Sequence, residues 1–330
     1  MTLPTPPTIT VVIPMRNEAA HITACLESVL ASHLPAGVTC EVLVFDGESS
    51  DDSAQLVRAL AEQDPRLRLL PNPERLQAAA FNRGLAEARG EYLVRLDAHS
   101  CYARDYLAEC VRLLRTTGAA NVGGVQRATG EGLLGRAIAA AVSSRFAAGD
   151  AKYRHATEPA WTDTVYLGAW RTQTVRDLGG MHADWAVNED YEMNVRLRAR
   201  GGRVYLSPTL QSSYFVRDSL TKLVRQYARY GFWKVRTLLL HPASLRWRQA
   251  VAPTFVVSLV ATPWLVHLLG WFGVAHIALY LVANLAASAI TARRHGLELL
   301  PLLPVIFAAI HCSWGSGFLA GIGYWPWHRK

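Results

Sequence analysis

Residues 9–18 read ITVVIPMRNE, and this stretch decides the fold of the first part of the chain. Residues 9–13 form a short β-branched, apolar run, which predicts a buried strand of a parallel sheet. The polar group PMRNE follows directly, where that strand is expected to end. In open α/β sheets, ligands gather at the carboxyl ends of the strands. The stretch therefore predicts a first strand followed by a binding loop.

The alternation of strand and helix continues to residue 96. Apolar residues at helical spacing predict helices, and short apolar runs predict further strands. The predicted helices span residues 17–31, 51–63 and 77–88, and the predicted strands span residues 41–45, 67–70 and 92–96. Strands that alternate with helices imply an α/β fold with a mainly parallel sheet and right-handed crossovers.

Three more polar clusters accompany the one at residues 14–18. Residues 46–52 (DGESSDD) follow the second strand, residues 95–100 (RLDAHS) end the fourth, and residues 188–192 (NEDYE) open a helix. Each cluster taken singly has a structural explanation, such as helix capping by Asp51. Four of them in one chain favour a binding site at the carboxyl edge of the sheet.

The charge pattern changes sharply near the end of the chain. The 330 residues carry a formal net charge of +8, but charged residues almost vanish after Arg248. Uncharged apolar runs over residues 251–269, 271–292 and 299–319 are each long enough to cross a bilayer. The basic stretch before them indicates a membrane surface rather than nucleic acid, because it lacks a recognisable reader motif. A buried helical bundle in a soluble domain is the alternative.

The flanking charges predict the orientation of these runs. Arginines at positions 246 and 248, before the first run, and at 293 and 294, after the second, agree with a cytoplasmic catalytic domain under the positive-inside rule. Arg329 and Lys330 do not fit three full crossings, so one segment is expected to be re-entrant or interfacial. The N-terminal residues lack the pattern of a secretory signal peptide. The five cysteines, odd in number and without metal-clip spacing, are expected to be reduced and mostly buried.

The order of the motifs resembles a known family. IPMRNE at residues 13–18, DGESSD at 46–51, DAH at 97–99 and Glu189-Asp190 are together similar to family 2 glycosyltransferases with the GT-A fold. The resemblance covers roughly residues 8–235. The apolar tail and the QYARYG segment at residues 226–231 resemble the branch that builds bacterial exopolysaccharides, succinoglycan-type assembly included.

That resemblance and the apolar runs together predict an organisation for the whole chain. Residues 1–235 would form a GT-A catalytic domain, residues 236–250 a basic juxtamembrane linker, and residues 251–330 about three transmembrane helices. The loops between residues 123 and 168 carry no readable motif, so the sequence does not specify the sugar or the acceptor.

The resemblance also implies a site for a nucleotide-sugar donor, with UDP as the expected nucleotide. The implied donor-binding residues are Pro14, Arg16, Glu18, Asp46 and Asp97. Asp46 matches the aspartate that accepts the imide N–H of uracil in the family. Arg16 stands where the family often has an aromatic residue, and a planar guanidinium can also stack on a base.

Asp97 and His99 occupy the metal motif of the family, which usually consists of two acids one residue apart. In an extended segment, residues i and i+2 point to the same side, so both side chains are expected to face one ion. The expected cofactor is a divalent metal, Mn²⁺ or Mg²⁺, and the histidine shifts the preference toward Mn²⁺. A surface histidine at a strand end is the alternative.

Asp190 matches the catalytic base of the family, with Glu189 beside it. An inverting transfer needs one carboxylate to take the proton of the acceptor hydroxyl. Glu189 and Glu192 are expected to raise the pKa of Asp190 by like-charge repulsion. Acids favoured at a helix N-terminus by the dipole are the alternative.

Gln226, Arg229 and Tyr230 lie near the Gln-x-x-Arg-Trp motif of the family, with Tyr in place of Trp. The resemblance implies that they contact the acceptor or the leaving diphosphate. The alternative is an amphipathic helix with a basic face on the membrane surface.

The function expected from these residues is an inverting, non-processive glycosyltransferase at the cytoplasmic face of the inner membrane. Its expected partners are a nucleotide-sugar donor, a lipid-linked glycan or polysaccharide acceptor, membrane lipids and other polysaccharide-assembly proteins, but not nucleic acid. One alternative is a nucleotidyltransferase, against which the N-terminal region offers no Gly-rich phosphate loop. Another is a catalytically inactive membrane scaffold on the same fold, against which Asp97, His99 and Asp190 argue.

Overall fold

The structure is a computed structural model that describes residues 7–149, 151–216 and 219–328. The chain divides into two compact units. The first comprises the described residues of Met1–Arg127 and Ala156–Tyr214, and the second those of Ala128–His155 and Phe215–Lys330. The domain limits at residues 235 and 250 stay a prediction. Arg329 and Lys330, whose charges do not fit three crossings, lie outside the described residues.

Strands and helices alternate in the first half of the described chain, and helices dominate the second. The strands are β1 Ile9–Met15, β2 Cys40–Asp46, β3 Leu67–Pro71, β4 Tyr92–Arg95, β5 Ser100–Tyr102, β6 Asn121–Thr129, β7 Ala160–Thr162, β8 Tyr166–Arg171 and β9 Val204–Phe215. The helices are α1 Ile22–Leu30, α2 Ser53–Ala61, α3 Gln77–Glu87, α4 Tyr106–Thr117, α5 Gly132–Ser143, α6 Arg145–Ala148, α7 Thr172–Leu178, α8 Glu189–Ala199, α9 Leu220–Leu240, α10 Trp247–Leu269, α11 Ala275–His295 and α12 Leu303–Tyr324.

The nine described strands form one sheet in the order β3-β2-β1-β4-β8-β6-β9-β5, with β7 beside β9. The strands β3, β2, β1 and β4 are parallel, as predicted. The pairs β4·β8, β6·β8, β5·β9 and β7·β9 are antiparallel. The α/β fold class is therefore confirmed, but the sheet is mixed rather than mainly parallel. The βα alternation that implied parallel strands ends at residue 96, and antiparallel partners need no helical crossover.

The predicted first helix begins later than expected. The sequence predicts a start at residue 17, whereas α1 starts at Ile22. Asn17 has a φ of 55°, in the left-handed region, so the helix cannot extend through it. The backbone of this loop is instead held by side chains from the next loop of the sheet. The other predicted strands and helices up to residue 96 begin and end within two residues of their predicted limits.

Both faces of β1 are covered, which explains its unbroken apolar run. Val11 and Ile13 belong to the main core together with residues of α1, including Cys25. On the opposite face, a Cβ placed on Gly84 of α3 would lie 2.5 Å from a Cγ of Val12. Burying each such side chain contributes about 1.5–3 kcal/mol, so this strand is a stable base for the loop that follows it.

The C-terminal helices of the second unit could span a membrane, judged by length and composition alone. Residues Gln249–His295, with a mean hydropathy of 1.8, comprise α10 from its third residue, the 3₁₀ turn after it, and α11. Residues Leu303–Trp327 have a mean hydropathy of 1.6. The buried share of the most apolar window is 6% in the first stretch and 39% in the second, so a fully buried position is disfavoured for the first stretch. All five cysteines are free, and three of them are buried.

Within the second unit, α9 and α12 approach each other backbone to backbone. A Cβ on Gly231 would clash with the carbonyl oxygen of Trp314, and one on Gly317 would clash with that of Ala228. Small residues at these positions let two helices pack closely. Part of the QYARYG segment therefore has a packing role.

Candidate active site

The loops after β1 and β2 are tied together by hydrogen bonds. The backbone N–H of Asn17 donates to Ser49 Oγ over 2.9 Å, and that of Glu18 donates to Ser53 Oγ over 2.7 Å. Asp51 accepts from the N–H of Ala19 at 3.1 Å. The DGESSD motif thus fixes the loop that carries the first polar cluster, so the first two clusters form one structure.

Asp46 and Arg16 lie on adjacent parts of this double loop. Asp46 ends β2 and accepts a hydrogen bond from the Ser49 hydroxyl over 2.6 Å. The exposed Arg16 side chain packs beside Gly47, where an added Cβ would lie 3.3 Å from Arg16 Cβ. Pro14 is buried in β1 opposite Phe45, so it shapes the strand end rather than presenting a surface.

An open groove of about 620 Å³ lies beside Asp46 and Glu48. Its remaining lining comes from α2 and β3 and includes Arg58 and Arg68. This groove gives Asp46 an accessible side at the edge of the sheet.

Asp97 and His99 are each held by a neighbour. His99 Nδ1 lies 3.1 Å from Glu18 Oε1, and both side chains are about one-fifth exposed. The hydroxyl of Tyr166 donates to Asp97 Oδ2 over 3.1 Å. The structure thus places Glu18, expected on the donor, beside the predicted metal motif. The described residues contain no group of three or more His, Cys, Asp or Glu side chains arranged to hold a metal ion.

The predicted base lies in the first turn of α8, and the helix begins where the sequence predicted. Asp190 is partly buried, and its Oδ1 accepts the N–H of Tyr191 over 2.7 Å. Glu189 is buried, and its Oε1 lies 3.2 Å from Nη1 of Arg95. Burial raises the pKa of Glu189, and the charge of Arg95 opposes that rise without cancelling it.

Glu192 binds an arginine that also holds the backbone of the segment before α8. It is fully buried, and Arg196 donates to it over 2.8 Å while also donating to the carbonyl oxygens of Leu178 and Gly180. Its charge is therefore matched by a guanidinium on its own helix. Sequence reasoning, which gave Glu192 a part in tuning Asp190, missed this pairing.

Two site residues were given no role by sequence reasoning. Arg95, the last residue of β4, is buried, and its Nη2 lies 2.8 Å from Gln77 Oε1 and 3.8 Å from Asp97 Oδ1. Burial lowers the pKa of Arg95, but the facing carboxylates outweigh it and hold the pKa above its ordinary value. The sequence did offer one indication of a role for Arg95, namely a charged residue inside an apolar strand pattern. Tyr166 lies in a stretch without motifs, so nothing in the sequence pointed to it.

Backbone strain collects around the same edge of the sheet. Among the described residues, the non-glycine positions with positive φ all fall in the first unit, and they are Asn17, Glu48, Arg75, Leu167 and Asn188. Three of them lie in the loops after β1, β2 and β3, one precedes α8, and Leu167 follows Tyr166. Such conformations cost on the order of 1–3 kcal/mol each and cluster at functional sites.

The residues predicted to contact the acceptor or the diphosphate lie in the second unit, on α9. Gln226 Nε2 donates to the hydroxyl of Tyr230 over 2.8 Å, and Arg229 is exposed. Their contact with acceptor or diphosphate stays a prediction.

Comparison with known proteins places these features in context. The sequence profile described as glycosyl transferase family 2 matches residues 10–165, and that of glycosyl transferase family group 2 matches residues 92–312. The succinoglycan biosynthesis protein ExoA of Rhizobium meliloti is 32% identical over 93% of each chain. A dolichyl N-acetyl-alpha-D-glucosaminyl phosphate 3-beta-D-2,3-diacetamido-2,3-dideoxy-beta-D-glucuronosyltransferase of Methanococcus voltae is 25% identical over 95% of this chain and 97% of its own.

A solved structure shares the fold. The mannosyltransferase PcManGT from Pyrobaculum calidifontis, in complex with GDP-Man and Mn²⁺, superposes with a TM-score of 0.62 at 22% identity. The match covers 99% of this chain and 89% of that one. The GT-A fold predicted from the motifs is thereby confirmed.

Proposed function

Because the chain belongs to family 2 of the glycosyltransferases, we propose that it is an inverting, metal-dependent enzyme that transfers a sugar from a nucleoside diphosphate to a lipid-linked or polysaccharide acceptor. The observation that carries the proposal is the position of Arg95. Its guanidinium faces Asp97 of the metal motif at 3.8 Å and Glu189, the neighbour of the proposed base, at 3.2 Å. Donor-side and acceptor-side residues therefore meet around one buried group.

The donor is assigned to the double loop after β1 and β2. Asp46 accepts the N–H of the base, Arg16 stacks beside it, and Asp97 lies toward the diphosphate. Ser49 and Ser53 accept backbone N–H groups of this loop and Ser49 donates to Asp46, so the loop is fixed before the donor arrives, which reduces the entropy lost on binding. UDP is the nucleotide proposed from the aspartate. GDP-Man in the structural relative makes guanosine donors the first comparison in an assay.

Asp97 and His99 are proposed as the protein ligands of a divalent ion. They offer a carboxylate and an imidazole, and the donor diphosphate would complete the shell. Glu18 beside Nδ1 resembles the carboxylate–histidine pairs that orient metal ligands through the other ring nitrogen. When bound, the ion neutralises charge on the departing diphosphate.

Asp190 is proposed as the general base. As the acceptor oxygen attacks the anomeric carbon, the Asp190 carboxylate takes the hydroxyl proton and the bond to the diphosphate breaks on the opposite face. Asp190 is partly buried, so it remains reachable by an acceptor, whereas Glu189 is shut in against Arg95. Glu189 is accordingly assigned to positioning. A positioned base contributes about 10²–10⁴-fold.

The acceptor is proposed to be held at the cytoplasmic face of the inner membrane. We assign α10 and α11 to the lipid because they carry large exposed apolar side chains, such as Trp264 of α10 at 66% and Leu279 of α11 at 72%. The basic helix α9 precedes them, and Gln226, Arg229 and Tyr230 are proposed to contact acceptor or diphosphate. A relative whose name describes transfer to a dolichyl-linked sugar phosphate supports a lipid-linked acceptor.

The test uses full-length protein in detergent or nanodiscs against a panel of UDP- and GDP-sugars, with and without Mn²⁺. A specific donor should raise the melting temperature by mass action, and more so with the ion. Turnover with a lipid extract should release a nucleoside diphosphate. Release of pyrophosphate would indicate a nucleotidyltransferase, and donor binding without any turnover would indicate an inactive scaffold.

A further inference from the structure

Arg95 occupies an unusual place for a charged side chain. It ends β4, a strand whose other residues are apolar and buried, and its own side chain is only 7% exposed. Nη1 approaches Glu189 Oε1 at 3.2 Å, and Nη2 approaches Gln77 Oε1 at 2.8 Å and Asp97 Oδ1 at 3.8 Å. One guanidinium thus reaches from the end of β4, which the proposed metal motif follows directly, to the helix that carries the proposed base.

The hydrogen bonding of this arginine is incomplete. Nε and Nη1 are buried, and neither has a hydrogen-bond partner among the described residues, although Nη1 is close to Glu189. Buried donors without partners are rare in folded proteins because they lose their hydration without replacement. An arginine selected only to stabilise β4 would be expected to satisfy these donors, or to be replaced by an apolar residue.

A second arginine–glutamate pair in the same unit shows what a fully bonded arrangement looks like. Arg89 donates to Glu41 Oε2 through Nε at 2.9 Å and Nη2 at 2.6 Å, and its backbone N–H reaches Oε1 at 3.0 Å. The hydroxyl of Thr10 donates to the same carboxylate over 2.7 Å. This pair lies near the amino ends of β1 and β2, away from every proposed site residue.

We propose that Arg95 is a positioning residue that fixes the distance between Asp97 and the start of α8, so that the donor-side carboxylate and Asp190 act on the same sugar. The inference rests on the proposed function. Asp97 is held on its other oxygen by Tyr166, so Arg95 supplies the second restraint on its position. Glu189 precedes Asp190 directly, and a shift of that turn displaces the base. A displacement of about 1 Å can lower turnover about 10²-fold.

The experiment compares R95Q with the matched control R89Q in full-length protein. Both substitutions leave one buried glutamate without its arginine, so both should lower the melting temperature. The number of active sites is counted by calorimetric titration with the donor, and kcat is expressed per donor-binding site. We expect R95Q to lose about 10–100-fold in kcat, as supporting residues of metal sites do, and R89Q to stay within about twofold of wild type.

The readout separates positioning from stability because kcat per binding site does not count unfolded molecules. If R95Q and R89Q have the same kcat per site, Arg95 has no positioning role. If R95Q does not fold, R95K decides. Lysine keeps the charge, but its ammonium is a point charge that cannot reproduce the fork of a guanidinium. We expect R95K to bind donor with a reduced kcat, and wild-type kcat would overturn the proposal.

The same assay distinguishes this inference from the proposed function. A wild-type protein that transfers no sugar from any donor in the panel would contradict the proposed function. An active wild type whose R95Q variant behaves like R89Q would contradict only the role of Arg95.

Discussion

The two ends of the parallel strands handle buried charge in different ways. At the amino ends, Glu41 accepts hydrogen bonds from Thr10 and from both the backbone and side chain of Arg89. At the carboxyl ends, Arg95 faces several carboxylates and leaves two buried nitrogens without a hydrogen bond among the described residues. Positive φ angles collect at the carboxyl ends as well.

The difference separates stability from function within one sheet. A fully hydrogen-bonded ion pair holds strands together, and its donors and acceptors are already satisfied, so none remains to bind a ligand. Charges held under strain and with incomplete bonding cost stability, and proteins keep them where geometry has to serve a reaction. Substitutions at the carboxyl ends should therefore change rates, whereas equivalent ones at the amino ends should change mainly stability.

The largest effect is expected from Asp190→Asn. Asparagine keeps the size of the side chain and an oxygen that can still accept the N–H of Tyr191, but it cannot take a proton at neutral pH. Transfer should fall by about 10²–10⁴-fold. Donor affinity should be unchanged, since the donor is assigned to other loops, and this combination marks an interaction made mainly in the transition state. Initial rates and donor calorimetry measure the two quantities.

Glu189→Gln is the control for that variant. Glu189→Gln should lower transfer less than Asp190→Asn does, because Glu189 is buried against Arg95. A dead Glu189→Gln variant together with an active Asp190→Asn variant would reverse the two roles and place the base one residue earlier.

The next effect concerns the proposed metal site. His99→Ala should lower Mn²⁺-supported activity by about 10–100-fold, because a ligand and its link to Glu18 are both lost. His99→Asp should restore activity and shift the preference toward Mg²⁺, which favours oxygen ligands. Activity titrated against each ion checks both variants. Wild-type turnover and metal dependence in His99→Ala would exclude the ligand role.

At the amino ends, the expected effect is on stability and depends on pH. Burial raises the pKa of Glu41, but hydrogen bonds from Arg89 and Thr10 outweigh it and hold the pKa below its ordinary value. A lowered folded-state pKa stabilises the protein above the unfolded-state pKa, and this stability is lost as the pH falls through the folded-state pKa. Glu41→Gln should therefore melt below wild type at neutral pH, with a difference that shrinks as the solution is acidified.

Thermal unfolding across this pH range measures the effect, and kcat at neutral pH serves as the control. Glu41→Gln should keep its kcat per donor-binding site. A large loss of kcat with unchanged stability would contradict the division between the two ends of the strands.

The sequence predicts some features of the structure well and others poorly. Features set by local sequence were predictable, and features set by distant contacts were not. The strand β1 and its loop were predictable because, in an α/β fold, an apolar run followed by polar residues indicates a buried strand that ends in a loop. The start of α1 was not, because Asn17 is held by Ser49 and Ser50, which are more than 30 residues away in the chain. Local propensity contains no information about such a bond.

The place of the candidate site in the fold was predictable where recognisable motifs mark it, and less so where residues outside the motifs contact those motifs. Asp97, His99 and Glu189-Asp190 lie in recognisable motifs. The contacts of Glu18 with His99 and of Tyr166 with Asp97 depend on strands that pair far apart in sequence. Antiparallel pairing of β4 with β8 brings Tyr166 close to the end of β4, and the βα pattern before residue 96 does not predict that pairing.

The smallest effect is expected from Ser49→Ala, which probes the loop rather than the chemistry. The Ser49 hydroxyl donates to Asp46 over 2.6 Å and accepts the N–H of Asn17 over 2.9 Å. Alanine removes both bonds, each of which contributes about 0.5–1.5 kcal/mol, and we expect the part of this loss that falls on donor binding to raise the donor Kd about 2–10-fold. Because the loop is proposed to bind the donor and not to take part in proton transfer, kcat should change little.

Ser50→Ala is the matched control, since its hydroxyl is exposed and makes only a 3.3 Å contact with Asn17 Oδ1. The stronger bond to that oxygen comes from the backbone N–H of Ser50 over 2.8 Å, which alanine keeps. Donor calorimetry on both variants should therefore show weaker binding for Ser49→Ala alone. Equal donor affinities in Ser49→Ala, Ser50→Ala and wild type would mean that the tied loops after β1 and β2 do not prepare the donor site, and the nucleotide would then have to be assigned to another part of the carboxyl edge.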